Sequence, residues 1–162
     1  MGRVRTWSSA TFFIALKTEL NRVQKEEPET DHHVISPEIL RGKTIVIAED
    51  EEFNYRFLEK LITMQGGEVI WATTGQEVID ILENNPDIDL IMMDLKMPVM
   101  NGFEATKIIK ISNPEIPIIA QTAFALFGDS DKAMEAGCND YIAKPIMVNE
   151  LMQKLKLHLN LN

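Results

Sequence analysis

From Thr44 to the end of the chain, short apolar runs alternate five times with segments of helical periodicity. Thr44–Ala48 reads TIVIA, apolar and largely β-branched, as a strand buried on both faces must be. Residues 53–65 follow helical spacing, with Phe53, Phe57, Leu61 and Met64 on one stripe, and Gly66-Gly67 closes the helix. Glu68–Ala72 is the second strand. Thr74 then precedes a helix with Glu77 three positions later, a capping box that satisfies two backbone N–H groups at the helix start. Val78, Ile81 and Leu82 make that helix's core face, and Asn84-Asn85-Pro86 stops it. Residues 90–93, 116–121 and Asp140–Ala143 read as the remaining strands. Residues 102–111, 130–136 and 147–159 read as the remaining helices, the last with Val148, Leu151, Met152, Leu155 and Leu159 inward.

Strands that are apolar throughout and joined by helical crossovers predict a parallel sheet covered on both faces. The expected fold is α/β: a flavodoxin-like, doubly wound, five-stranded parallel sheet with five helices. In such sheets ligands bind beyond the carboxyl ends of the strands. The first strand runs into Glu49-Asp50, the third into Asp94, the fourth into Gln121-Thr122 and the fifth into Lys144-Pro145. Three carboxylates, one hydroxyl and one ammonium therefore emerge at a single edge. Carboxylates at close approach repel by about 1–4 kcal/mol per pair, so a protein that gathers three of them needs a cation. Oxygen-only ligands favour Mg²⁺, which keeps several waters and binds through one or two carboxylates plus a phosphate. Taken singly, each residue has a blander reading: solvated loop acids, a turn threonine, a surface lysine. Their joint appearance at the ends of separate strands points to chemistry. Mg²⁺ and Lys144 would neutralise the equatorial oxygens of a phosphoryl group in transfer, and Thr122 would donate to one of them. Asp94 would be the nucleophile.

At 162 residues the chain holds one domain of ordinary size plus an appendage. Its 45 % hydrophobic and 25 % charged residues are the balance of a soluble globular protein. The net charge of −9 is uneven: residues 1–43 carry seven basic and six acidic side chains, and the rest nine basic and nineteen acidic. So acidic a body repels a phosphate backbone, and no nucleic acid is expected as a partner. One cysteine, Cys138, excludes an internal disulfide. QKEEPETDHHVISPE (24–38), polar and broken by Pro28 and Pro37, reads as a linker in which His32 and His33 are solvated, since no ligand cluster accompanies them. The expected division is an N-terminal segment over 1–23, a linker over 24–43 and the α/β domain over 44–162. The apolar run 10–16 behind Arg3 and Arg5 is too short to span a bilayer and lacks a cleavage site. Gly2 with Thr6 fits only the loose myristoylation pattern. No membrane contact by this chain is expected.

Four segments carry a family resemblance: TIVIAEDEEFN (44–54), DLIMMDLKMPVMNGFE (89–104), IPIIAQTAFA (116–125) and GCNDYIAKP (137–145). In order and spacing they resemble the response-regulator receiver domains of two-component signalling, over residues 44 to about 159. The resemblance implies that Asp94 is the phosphoacceptor of a D-x-x-M-P-x-M-[DN]-G signature. It implies that Glu49 and Asp50 are the acidic pair, Asp50 binding Mg²⁺ directly and Glu49 through water, with the backbone carbonyl of Lys96 as a third protein ligand beside Asp94. Thr122 and Tyr141 match the switch hydroxyl and switch aromatic, and Lys144 the invariant lysine, with a cis peptide expected before Pro145. Two positions depart from the pattern. Glu49 stands where many members have Asp, and Glu51 where related receivers often have Asn, adding negative charge near the metal. Asn54 fits the pattern of receivers from hybrid kinases. SSATFFIAL (8–16) resembles the last strand of a histidine-kinase ATP-binding domain, without its usual glycine and terminal proline. Together these imply the C-terminal receiver of a hybrid sensor histidine kinase, with which the absence of an output domain after Asn162 agrees. No kinase core lies within these residues.

The implied function is phosphorelay signal transduction. Asp94 takes a phosphoryl group, with Mg²⁺, from a phosphohistidine on a histidine kinase dimerisation domain or a histidine phosphotransfer protein, in the cytoplasm. The group is then hydrolysed or passed on. The fourth helix, fifth strand and fifth helix are the expected partner face, switched by a shift of population. A pseudo-receiver, an interaction module without phosphate turnover, would lack one of the Asp, Thr and Lys that are all present here. A flavin-binding module on the same fold would need a hydroxyl- and glycine-rich first loop, which here is acidic. Met92, Met93 and Met97 are expected to pack beside Asp94, and Cys138 to be a small packed residue. Phe124 and Phe127 stay open between contacting a partner and shielding the phosphoryl group from water.

Overall fold

The computed structural model describes residues 38–123 and 128–161. The expectations for residues 1–37, among them His32, His33 and the segment 8–16, and for Phe124 and Phe127 lie outside the described residues. In chain order the elements are β1 (Thr44–Ala48), α1 (Glu52–Thr63), β2 (Glu68–Ala72), α2 (Gly75–Asn84) and β3 (Leu90–Asp94). There follow α3 (Gly102–Ser112), β4 (Ile118–Thr122), α4 (Asp129–Ala136), β5 (Asp140–Ala143) and α5 (Val148–His158). The strands form one sheet, all pairs parallel, in the order β2-β1-β3-β4-β5. This is the doubly wound, flavodoxin-like arrangement that the alternation predicts.

Side chains on a strand point alternately to its two faces, and here both faces are core. Ile45, Ile47, Leu90 and Met92 join Leu58 and Ile62 of α1 and Leu151 and Leu155 of α5. Val46, Ala48, Ile91 and Met93 join Val78 of α2, Ala105 and Ile109 of α3 and Ala133 of α4. The inward face of α5 is as expected, with Leu151, Met152, Leu155 and Leu159 buried and Val148 packed against them. Met92, Met93, Met97 and Cys138 are buried as packing residues. Among the described residues, no helix is long and apolar enough to cross a membrane.

Helix α1 departs from expectation. It buries Tyr55, Leu58 and Ile62, whereas Phe53 is 83 % and Met64 64 % exposed, and Phe57 is exposed as well. Two apolar stripes at helical spacing compete on this helix. The short connection from β1 sets the phase of the helix and so selects the stripe that meets the sheet. Tyr55 belongs to it because its ring stacks on Trp71 at 4.2 Å between centroids while its hydroxyl donates to Glu59 at 2.7 Å.

The helix starts also differ in detail. Thr74 accepts from the Glu77 N–H at 3.1 Å, but the Glu77 carboxylate returns to the N–H of Thr73 at 2.7 Å, so the box is offset by one residue. A reciprocal capping box stands at α3 instead, where Asn101 and Glu104 each accept from the other's N–H. Residues 38–43, expected as the end of the linker, form a turn that inserts Leu40 into the α1/α5 core. The Leu40 N–H donates to the Gln65 carbonyl at 2.9 Å. An apolar side chain beside the sheet edge is more stable buried than left in a solvated linker.

Candidate functional site

The register of the sheet assembles the site. Ala48 pairs with Met93, Asp94 with Gln121, and Thr122 with Ala143. Glu49, Asp94, Thr122 and Lys144 consequently leave the sheet along one edge, next to the point where the strand order reverses around β1. That is where open α/β sheets bind ligands.

Glu49, Asp50 and Asp94 each offer a carboxylate oxygen, and these oxygens lie within 4.8 Å of one another. Glu49 is fully buried, Asp94 nearly so, and Asp50 is exposed at the mouth. The Lys144 ammonium bridges the inner two, donating to Glu49 Oε2 at 2.6 Å and to Asp94 Oδ2. Asp94 Oδ1 accepts from the Lys96 N–H at 2.9 Å, and Glu49 Oε1 from the Asn54 amide at 2.9 Å. Three carboxylates against one ammonium leave two negative charges unmatched within this group. The donors are oxygen only, and the open side is held by Asp50. That set fits Mg²⁺.

Burial pushes the Glu49 carboxyl above its ordinary value; hydrogen bonds from Lys144 and Asn54 oppose this, and the charge of Asp94 adds to it. Burial works against the charge of Lys144 too, but its hydrogen bonds to Asp94 and Glu49 outweigh that and hold its pKa above the ordinary value. Lys144 thus keeps its positive charge between the two carboxylates.

Thr122 is the last residue of β4 and is buried, and its carbonyl accepts from the Lys144 N–H at 2.8 Å. With Asp94, Lys96 and Lys144 it lines a small pocket of about 80 Å³. Asp129, the first residue of α4, lines the same pocket. The sequence signal for it is the short acidic run that opens α4, which is ambiguous because acids in a first helical turn are common. Tyr141 lies on β5, 37 % exposed, with the Lys154 ammonium 5.6 Å from its ring centroid. The Lys144–Pro145 peptide bond is cis. Beyond Asp94 the chain turns sharply at Val99, whose φ is +65°, with the Met100 N–H donating to the Pro98 carbonyl at 2.7 Å. A β-branched residue in this region signals local strain, as is common beside functional sites.

A second opening adjoins the first. The exposed stripe of α1 and the turn after β5 form a groove of about 330 Å³, lined by Phe53, Asn54, Phe57, Gln121, Lys144 and Ile146 among others. Gln121 is fully buried, and among the described residues neither polar atom of its carboxamide has a hydrogen-bond partner. Lys144 therefore stands between a polar pocket and an apolar groove. The apolar groove is hidden at the level of sequence because Phe53 and Phe57 share helical spacing with Leu61 and Met64, as a core-facing stripe would.

Comparison with known proteins gives one consistent result. The family described as Response regulator receiver domain matches residues 45–156. The polar-differentiation response regulator DivK of Brucella ovis is 39 % identical over 120 residues, covering 72 % of this chain and 96 % of that protein. Among solved structures, the receiver domain of the sensor histidine kinase PA1611 of Pseudomonas aeruginosa, with a magnesium ion coordinated in its active site cleft, is 34 % identical. It superposes with a TM-score of 0.69, covering 74 % of this chain and 98 % of that one. The receiver domain of the Saccharomyces cerevisiae response regulator Ssk1, in complex with the histidine phosphotransfer protein Ypd1, is 29 % identical with a TM-score of 0.67. The match spans 72 % of this chain and 88 % of that one.

Proposed function

The chain belongs to the response regulator receiver family, and from this we propose that Asp94 accepts a phosphoryl group from a phosphohistidine in a Mg²⁺-dependent phosphorelay. The observation that carries the reading is the Asp94 carboxylate, tied to Lys144 and set against Glu49 and Asp50 at the edge of the sheet.

In this reading an Asp94 oxygen attacks phosphorus. The new P–O bond forms as the P–N bond breaks, and the electron pair returns to the donor imidazole, which takes up a proton. The Lys96 N–H holds Oδ1 of Asp94 and so orients the carboxylate. Lys144, already at the other oxygen, follows the charge onto the phosphoryl group, and the Thr122 hydroxyl donates to an equatorial oxygen. Glu49, Asp50, Asp94 and the backbone carbonyl of Lys96 would hold Mg²⁺. Its contribution is neutralisation of charge on carboxylates that otherwise repel an incoming phosphate.

The donor is a histidine phosphotransfer protein or a histidine kinase dimerisation domain. The likeness to a receiver solved with such a phosphotransfer protein supports this. The groove beside Lys144, walled by Phe53 and Phe57, suits the apolar flank of a helix that carries the donor histidine. Thr122 and Tyr141 are the switch pair, and α4, β5 and α5 the face that reads it, where Met134, Tyr141 and Met147 are exposed. The likeness to a receiver of a sensor kinase fits an origin in a hybrid histidine kinase, and a cytoplasmic location goes with it.

Incubation with Mg²⁺ and acetyl phosphate tests the chemistry. Intact-mass analysis should find one added phosphoryl group that requires both Mg²⁺ and Asp94. No gain in the wild-type chain, or an equal gain in Asp94→Asn, would contradict it.

A further inference from the structure

Glu49 is the only fully buried carboxylate in the site described above, and its two oxygens have different partners. Oε2 accepts from Lys144 at 2.6 Å and Oε1 from the Asn54 amide at 2.9 Å. We propose that Asn54 is a positioning residue for Mg²⁺: its hydrogen bond orients the Glu49 carboxylate so that the three-carboxylate cluster can take the cation. This rests on the reading of that cluster as a Mg²⁺ site.

The need for such a residue follows from the length of Glu49. A glutamate has one more torsion than an aspartate, and freezing it costs free energy unless a partner fixes the side chain. The backbone of Glu49 is already fixed, since the Trp71 indole donates to its carbonyl at 2.8 Å and is itself stacked on Tyr55. That leaves the side-chain torsions to Lys144 and Asn54. Lys144 is shared with Asp94 and must follow charge during the transfer, so it is a poor fixed post. Asn54 is a neutral donor on the third residue of α1. It orients the carboxylate without neutralising it, as an ammonium there would, and without adding repulsion, as a carboxylate would.

Its place argues against a purely helical role. Position 54 falls in the first turn of α1, whose N-cap, Glu51, makes no side-chain cap hydrogen bond. The Asn54 amide is spent on the strand end instead. Residues 54 and 55 of one helix therefore hold Glu49 twice, by its carboxylate directly and by its carbonyl through Trp71. Partners that orient a ligand of a metal typically matter for affinity by roughly 10–100-fold.

The test is a Mg²⁺ titration of the full chain, followed by the Trp71 indole N–H resonance, which reports on Glu49 without any phosphoryl transfer. Asn54→Leu keeps the volume and removes the donor; Asn54→Ala is the second variant should Leu disturb the helix. Either is expected to weaken Mg²⁺ binding by roughly 10–100-fold. In a Glu49→Gln background the same change should matter by less than about twofold, because additivity fails between groups that act through one another. Unchanged affinity in Asn54→Leu, or an equal loss in the Glu49→Gln background, would overturn the inference. A wild-type chain with no saturable Mg²⁺ binding would overturn the Mg²⁺ reading and the inference with it, a distinguishable result.

Discussion

A β-carbon added to Gly102 would overlap the backbone carbonyl oxygen of Asp94 and press on the Met93 side chain. The start of α3 thus packs directly on the residue proposed to accept phosphate, and only a residue without a side chain lets it approach so closely. Backbone cannot yield as a flexible side chain can. Gly102→Ala should therefore destabilise the fold by about 1–3 kcal/mol and slow labelling of Asp94 by acetyl phosphate. Urea denaturation and a labelling time course check the two effects. A variant as stable and as reactive as wild type would show that the close packing of α3 on Asp94 does not matter.

The groove along α1 separates protein donors from small ones. Replacing Phe53 and Phe57 together by Asp places charge on a surface that now presents two aromatic rings beside Lys144. Transfer from a phosphorylated histidine phosphotransfer protein should fall about tenfold or more, since buried aromatic anchors dominate such interfaces. Labelling by acetyl phosphate, which needs no docking, should change little. Equal loss with both donors would place the effect in the chemistry rather than in docking.

The sheet and its edge were legible in the sequence because buried parallel strands have an unambiguous signature and register follows from their ends. Glu49, Asp94, Thr122 and Lys144 align from the sequence alone, each standing at or one residue beyond the first polar group after an apolar run. Helix α1 was not legible in the same way. Phe53, Phe57, Leu61 and Met64 satisfy helical spacing as well as Tyr55, Leu58 and Ile62 do, and only the phase set by β1 separates them. The contacts of Trp71 and Asn54 with Glu49 are illegible for another reason. Their hydrogen bonds to Glu49 link residues 22 and 5 positions apart across different elements, and no local pattern encodes them. Leu40 is illegible because the apolar pair Ile39-Leu40 in a polar stretch is too short to show a periodicity.

Gln121 offers a stability prediction. Both polar atoms of its carboxamide are buried without a partner among the described residues, which costs about 1–3 kcal/mol. Gln121→Leu has similar volume and removes the cost, so it should raise the melting temperature. A lower melting temperature would mean that the amide is satisfied in solution.

The Asp140 cluster sets a pH dependence. Burial disfavours the Asp140 carboxylate, but hydrogen bonds from Lys154 at 2.7 Å, His158 at 2.9 Å and the Tyr141 N–H at 2.7 Å outweigh it and hold its pKa below the ordinary value. A carboxyl with a depressed pKa adds stability above its unfolded pKa and loses it as pH falls through the folded one. Asp140→Asn should accordingly be less stable than wild type at neutral pH, with the gap closing as pH falls through the folded pKa, below the ordinary aspartate range. Denaturation curves over that range check the sign. A gap that widened on acidification would contradict it.

The central claim is tested most directly by transfer itself. A histidine phosphotransfer protein carrying a radiolabelled phosphohistidine is mixed with this chain and Mg²⁺, and the labelled peptides are mapped under mild conditions that preserve an acyl phosphate. The account predicts that label leaves the donor histidine and appears only in the peptide that contains Asp94, and not at all in Asp94→Asn. Label on any other residue, or undiminished transfer to Asp94→Asn, would contradict it.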